Sequence, residues 1–180
     1  IVELGEGVTD IQKDCFANSG LASINIPDTV TNIDNGAFYE CSKLKNAVIG
    51  NGVKDIGKKA FINCSSLESV TIGNSVRNIG DYGFAFDTAL KSVTVPGSVE
   101  NLGAGCFYKC SSMTEAVIGN GVQALKSYVY DWNEPSGNSE LNITGTFENC
   151  TSLEKVTIGD GVKEIQIDTF AGSGIKELNI

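Results

Sequence analysis

The feature that most constrains this chain is that it repeats itself every 23 residues. Residues 47–69 align with residues 70–92 without a gap. Full repeats begin at Val2, Ile24, Ala47, Val70, Val93, Ala116 and Val156, and an eighth starts at Leu178. The first and seventh are 22 residues long, shortened at 17–21 and 171–175, and the sixth carries about 17 extra residues. Self-similarity at such a period is the signature of stacked repeats. Five apolar positions recur in every unit. The first runs Leu4, Ile26, Ile49, Ile72, Val95, Ile118, Ile158, and the second Val8, Val30, Val53, Val76, Val99, Val122, Val162. The third is Ile11, Ile33, Ile56, Ile79, Leu102, Leu125, Ile165. The fourth, Phe16, Phe38, Phe61, Phe84, Phe107, Phe147 and Phe170, uses seven of the eight phenylalanines. The fifth is Leu21, Leu44, Leu67, Leu90, Met113, Leu153, Ile175. A single 23-residue coil cannot bury five such side chains, but a stack of coils buries each against its equivalents above and below.

Within a unit, Leu67-x-x-Val70-x-Ile72 alternates with period two and reads as a strand. The pairs Asn51-Gly52, Asn120-Gly121 and Asp160-Gly161 follow it and predict sharp turns with left-handed backbone angles. A second short extended piece, Val-x-x-Ile, comes next. An Ala-Phe segment, expected as a turn or short helix, returns the chain to the next strand. Parallel strands at ~4.8 Å per coil make seven coils ~35 Å tall.

Composition narrows the function. The net charge is −9, which disfavours phosphate backbones and anionic lipid, so neither nucleic acid nor membrane insertion is expected. The chain has no His, which removes the usual base near neutral pH and the commonest metal ligand. No recurrent acid pair or phosphate-binding glycine loop is present, so no catalytic, cofactor-binding or metal-binding residues are expected. The sequence starts at Ile1 without an initiator Met, and Ile1 and Ile180 both fall inside a strand pattern. It therefore reads as one repeat domain over 1–180 within a longer chain.

Residues 67–75 carry the L-x-x-L-x-L spacing of leucine-rich repeats. With Ile56-Gly57-x-x-Ala60-Phe61 and Cys64-Ser65-Ser66-Leu67, the unit resembles the BspA-like leucine-rich repeat family. The resemblance covers nearly all of the chain except the insertion, in seven copies. It implies an α/β solenoid, a right-handed leucine-rich repeat superhelix of about seven coils with one parallel strand each and little regular helix. It also implies an extracellular or cell-surface location, typically in a bacterium, no enzymatic activity, and adhesion to a protein such as a host or extracellular matrix protein; a monomer is expected.

The six cysteines fall into register. Cys41, Cys64, Cys110 and Cys150 share one repeat position, and Cys15 and Cys106 share another, occupied by Ala37 and Ala60 in sister coils. Buried thiols are the expected state of both positions. Cys41 and Cys64, in adjacent coils, are the pair best placed for a disulfide if one exists.

Two regions are candidate partner sites. Alternation directs Ser23, Asn25, Asn46, Val48, Ser69, Thr71, Ser92, Thr94, Glu115, Val117, Lys155 and Thr157 out of the strand face. Asn46, Thr71, Thr94 and Glu115 are taken as its partner-binding residues. The insertion, at about 126–142, holds Tyr128, Tyr130, Asp131, Trp132 and Glu134. Its three aromatics alternate, and 134–138 reads as a turn, so a projecting hairpin that grips a protein or a glycan is one reading. The other is that the aromatics pack against the solenoid. A carbohydrate-binding module built on the insertion and a passive spacer are the alternatives to a protein-binding module. Among glycosylation patterns only Asn142 lies away from a cysteine expected to be buried.

Overall fold

A computed structural model describes residues 2–5, 7–128 and 144–180. The chain winds as a β-solenoid of about seven turns. Its coils stack in the predicted register: Val2 pairs with Ile24, Ile24 with Ala47, Ala47 with Val70, Val93 with Ala116, Ala116 with Val156, and Val156 with Leu178. Every one of these is a residue at which a repeat begins. The strands divide into two four-stranded parallel sheets. One holds Val2–Glu3, Ser23–Ile26, Asn46–Ile49 and Ser69–Thr71, and the other Ser92–Val95, Glu115–Ile118, Lys155–Ile158 and Glu177–Asn179. A second row of two-residue strands, from Asp10–Ile11 to Asn101–Leu102, forms a five-stranded parallel sheet at the next side of each coil.

The division of the main row has a local correlate. Gly119 N–H donates to Val95 O at 2.9 Å and Gly159 N–H to Ile118 O at 2.8 Å. Pro96 occupies the same repeat position and has no N–H, so the rung toward Ile72 is missing; Pro27 stands at this position too, and there the strands still pair. The main sheet parts at that place, between Ser69–Thr71 and Ser92–Val95.

The third side of each coil is turn throughout, and no helix is present among the described residues. Backbone angles explain this. Each corner contains residues at positive φ, such as Asp14 and Asn18, Lys59 and Asn63, or Tyr82 and Phe86, all between 56° and 62°. A right-handed helix cannot run through such residues. The corner is instead tied to its neighbours. Phe38 N–H reaches Ala60 O at 2.7 Å, Phe61 N–H reaches Gly83 O at 2.8 Å, and Phe84 N–H reaches Cys106 O at 2.9 Å.

The left-handed angles expected at the Asn-Gly and Asp-Gly pairs are not there. The positive-φ glycines are Gly36, Gly105 and Gly172. Glycine follows the strand because the coils touch at that point. A Cβ on Gly52 would lie 1.8 Å from Asp28 O, and one on Gly161 would lie 1.7 Å from Asn120 O. Close approach of two backbones, rather than turn handedness, selects the residue.

The interior is the set of ladders. Phe38, Phe61, Phe84, Phe107 and Phe147 are wholly buried. The seven rings from Phe16 to Phe170 form one stack with centroid separations of 5.2, 4.7, 5.1, 5.7, 5.3 and 5.7 Å and interplanar angles of 7–10°. The 5.3 Å step from Phe107 to Phe147 spans the insertion in sequence, so the stack continues unbroken across it. Leu4, Val8 and Phe16 at one end and Val162, Phe170 and Ile175 at the other are only partly buried, since each outer coil has one neighbour. Cys15 departs from expectation for the same reason. It is exposed, whereas Cys106 at its repeat position is buried.

Beside the phenylalanines runs a polar ladder. Cys41, Cys64, Cys110 and Cys150 each donate Sγ–H to the carbonyl of a ladder phenylalanine, Phe16, Phe38, Phe84 and Phe107, at 3.0–3.2 Å. All six cysteines are free thiols, Cys41 and Cys64 included. Burial pushes the Cys106 and Cys110 thiols up, and contact with Cys41 together with burial does the same for Cys64. Cys41 runs the other way. The neighbouring Cys64 thiol and then Ser19 hold it below the ordinary thiol range, but its side chain is enclosed. Asp87 stands in this ladder where sister coils have cysteine. It is fully buried, accepts one hydrogen bond from Cys64 N–H at 2.8 Å through Oδ1, and has no partner on Oδ2. Burial raises its pKa well above the usual carboxylate range, against the opposing pull of the Cys64 N–H.

Two predictions follow from this packing. Phe61→Ala is expected to cost about 3–5 kcal/mol in denaturant unfolding, and Phe16→Ala, in a half-buried end position, distinctly less; equal losses would contradict the stack as the main source of stability. Asp87 has a folded pKa above its unfolded value. Its contribution is therefore fully present below about pH 4 and is lost as pH rises through the folded pKa, by up to about 1.4 kcal/mol per pH unit. Asp87→Asn should match the parent in acid and become progressively more stable than it toward neutral pH. A stability difference independent of pH would show that the carboxyl does not titrate this way.

Candidate functional site

The strand face follows from alternation. In Asn46–Ile49 and Ser92–Val95 every second residue is exposed and the others are buried. Inward go Ala47, Ile49, Val93 and Val95; outward go Asn46, Val48, Ser92 and Thr94. On this face lies a depression of about 760 Å³ that straddles the break between the two sheets. Its floor and walls come from successive coils: Asn25 and Pro27, Val48 and Gly50, Thr71 and Gly73, Thr94 and Pro96. Val48 is 45% exposed there, an apolar contact point among small polar groups.

One rim is a rigid ladder of side chains on turns. Asp28 Oδ1 accepts from Asn51 N–H at 2.6 Å, and Asn51 Oδ1 accepts from Asn74 N–H at 2.9 Å. Each amide or carboxylate thus fixes the turn of the next coil. Asp28 is the only ionisable residue lining the depression. Such a surface can offer amide and hydroxyl hydrogen bonds around a small apolar centre, and it can do so without desolvating many charges.

The structure brings together some of the residues expected from sequence and not others. Thr71 and Thr94 are exposed and line the depression. Asn46 is exposed on the same face, outside the lining, where its Oδ1 accepts from Ser69 Oγ at 2.8 Å. Glu115 lies further along the face and pairs with Lys155 at 3.4 Å, both side chains about half exposed. Exposed pairs of this kind contribute little to stability. Tyr130, Asp131, Trp132 and Glu134 lie outside the described residues, as does Asn142. Tyr128 is described only in its backbone.

The base of the insertion is well defined. Ser127–Tyr128 pairs antiparallel with Thr144–Gly145, Ser127 opposite Gly145 and Tyr128 opposite Thr144. Thr146 Oγ1 donates to Lys126 O at 2.9 Å, and Glu148 Oε2 accepts from Gly145 N–H at 3.1 Å. Tyr82, two coils before, shares a hydrogen bond with Thr144 Oγ1, and its ring lies over Gly105 where a Cβ would meet it at 2.6 Å. Sequence reasoning missed Tyr82. The signal was its place in the repeat, since sister positions hold Asp14, Gly36, Lys59, Gly105, Gly145 and Asp168 rather than an aromatic.

Among the described residues no group of His, Cys, Asp or Glu side chains could hold a metal ion, and no helix is long and apolar enough to cross a membrane.

Comparison with known proteins agrees with this architecture. The BspA type leucine rich repeat region matches residues 9–136 and 138–180 in six copies. No curated protein sequence matches the chain. Solved structures share its fold. The Treponema pallidum leucine-rich repeat protein superposes with a TM-score of 0.56 at 20% identity, over 84% of this chain and 76% of that one. The pneumococcal vaccine antigen PcpA superposes with a TM-score of 0.55 at 21% identity, over 86% of this chain. The chain spans only 31% of the length of that PcpA structure. Repeats of this family are generally non-enzymatic, serve protein interaction, and occur typically in surface-associated or secreted proteins. With the family matched over nearly its whole length, the chain belongs to the BspA-type leucine-rich repeat proteins.

Proposed function

We propose that this chain is a protein-binding module of a cell-surface or secreted protein, acting in adhesion, and that its partner docks on the strand face over coils two to five. The observation that carries this reading is the depression across the parted sheets, with Val48 exposed among Asn25, Thr71 and Thr94. A face of short side chains on a stacked backbone is rigid, so little rotamer entropy is lost on binding. The near absence of charge within it favours a partner that presents backbone amides and short polar side chains around an apolar contact. The net charge of −9 keeps the rest of the surface from binding acidic partners indiscriminately.

The test is surface plasmon resonance of the chain over a panel of immobilised extracellular matrix proteins. Saturable binding is expected to at least one. The double variant Thr71→Arg, Thr94→Arg places two unpaired charges on the docking face and should weaken that binding by at least about tenfold, with an unchanged melting temperature. A control pair of arginines at Thr114 and Thr151, exposed residues away from the depression, should leave it unaltered. Binding insensitive to Thr71 and Thr94, or no saturable binding to any of the panel, would refute the assignment.

A further inference from the structure

One phenylalanine stands outside the ring stack. Phe86 lies two residues after the ladder position, where sister coils carry Asn18, Glu40, Asn63, Lys109, Asn149 and Gly172. All seven residues at this position have positive φ, between 54° and 67°, with Phe86 at 62°. Asn and Gly adopt that conformation readily, whereas a bulky aromatic there is an outlier held against its backbone preference. Nor does Phe86 gain full burial by it. It is only partly buried, packed at the margin of a small outer cluster of Tyr82, Ala85 and Tyr108, with Tyr108 edge-on at 5.2 Å. The Lys109 ammonium, 5.4 Å from its ring centre, covers part of it. Turn geometry does not account for an aromatic at this position, and its packing leaves part of the side chain open.

Beside Phe86 is a cleft of about 190 Å³ formed by Tyr39, Glu40, Ile62, Asn63 and Phe86, contributed by three successive coils. Its chemistry is divided. Phe86, Ile62 and the Tyr39 ring supply apolar surface. The Glu40 carboxylate, the Asn63 amide and the Tyr39 hydroxyl supply acceptors and donors at the edge. Glu40, next to Tyr39 in the chain, raises the tyrosine's pKa by hydrogen bonding and charge, with burial adding to it. We infer that this corner cleft is a carbohydrate subsite that takes one uncharged pyranose ring of a glycan, with the ring's C–H face against Phe86 and Ile62 and its hydroxyls on Glu40 and Asn63. Three observations support this occupant. An aromatic plane with flanking amide and carboxylate groups matches the two faces of a sugar, one C–H and one hydroxyl. The volume suits a single ring and not a helix or an extended peptide. The negative net charge and Glu40 itself oppose an anionic sugar, while Lys109 beside Phe86 opposes a cationic side chain. The cleft is on the turn side of the coil, away from the strand face, so the inference is independent of the function proposed above.

A single ring in a shallow cleft is expected to bind with a Kd on the order of 1 mM, within reach of NMR titration of the whole labelled chain. The probes are the methyl pyranosides of glucose, galactose and mannose. At least one should shift the backbone amides of Asn63 and Phe86 in a saturable way. Phe86→Asn installs the residue that sister coils carry at this backbone conformation, so the fold should be retained or stabilised, while binding weakens at least about tenfold. Glu40→Gln should weaken it more modestly. The inference fails if no pyranoside shifts these amides, if the shifts persist unchanged in Phe86→Asn, or if only N-acetyl-lysine amide or N-acetyl-arginine amide shifts them.

Discussion

The rest of the structure depends on one constraint: each coil must place every side chain directly over its equivalent in the coil before. Backbone hydrogen bonds enforce it on all three sides of the coil, through two rows of parallel strands and through the corner rungs that tie Phe38 to Ala60 and Phe61 to Gly83. Given that register, a residue packs mainly against copies of itself. A flat ring tolerates this well, and the phenylalanines stack nearly parallel at about the spacing of the coils. The same geometry punishes anything that cannot stack. A Cβ at Gly52 or Gly161 would strike the backbone of the coil beneath, and an orphaned oxygen at Asp87 has nowhere to turn within a ladder built for thiols.

Much of this was legible because the constraint acts on sequence and structure at the same period. The repeat starts at Val2, Ile24, Ala47, Val70, Val93, Ala116, Val156 and Leu178 coincide with the strand partners, including across an insertion that breaks the spacing between Phe107 and Phe147. What the sequence did not reveal was the physical reason behind some residues. Asn-Gly pairs read as left-handed turns by local preference, yet their glycines answer to a contact 22 or more residues away. Conversely, the left-handed corner residues Glu40, Lys59 and Tyr82 carry no local mark of their conformation. Tertiary register imposes it on them. Cys15 followed its ladder in sequence but is exposed, in a first coil that has a neighbour on one side only.

The candidate binding face was half legible. Alternation identifies which side chains leave the sheet, and Thr71 and Thr94 do line the depression. Alternation cannot say where along a uniform face a concavity will form. That depends on where the sheet parts, a place that hydrophobic patterning does not mark. Asn46 and Glu115 satisfied the same pattern and fall outside the depression.

A solenoid of identical coils would present an identical, featureless surface at every level, so recognition has to come from departures from the repeat. The departures here are concentrated. Pro96 coincides with the parting of the strand face. Tyr82 replaces a small or polar corner residue and braces the return of the insertion through Thr144. Phe86 replaces a left-handed Asn and adds an aromatic wall to a cleft on the opposite side. Asp87, at the next position, replaces the ladder cysteine and carries a buried unpaired oxygen. Three of these four residues, Tyr82, Phe86 and Asp87, thus lie in one coil, the fourth, and Pro96 opens the next. Each is locally unfavourable or neutral in a framework whose other coils supply ample stabilising contacts. That surplus is what allows a repeat protein to carry such substitutions, and the coil that carries most of them is where binding surfaces should be sought first.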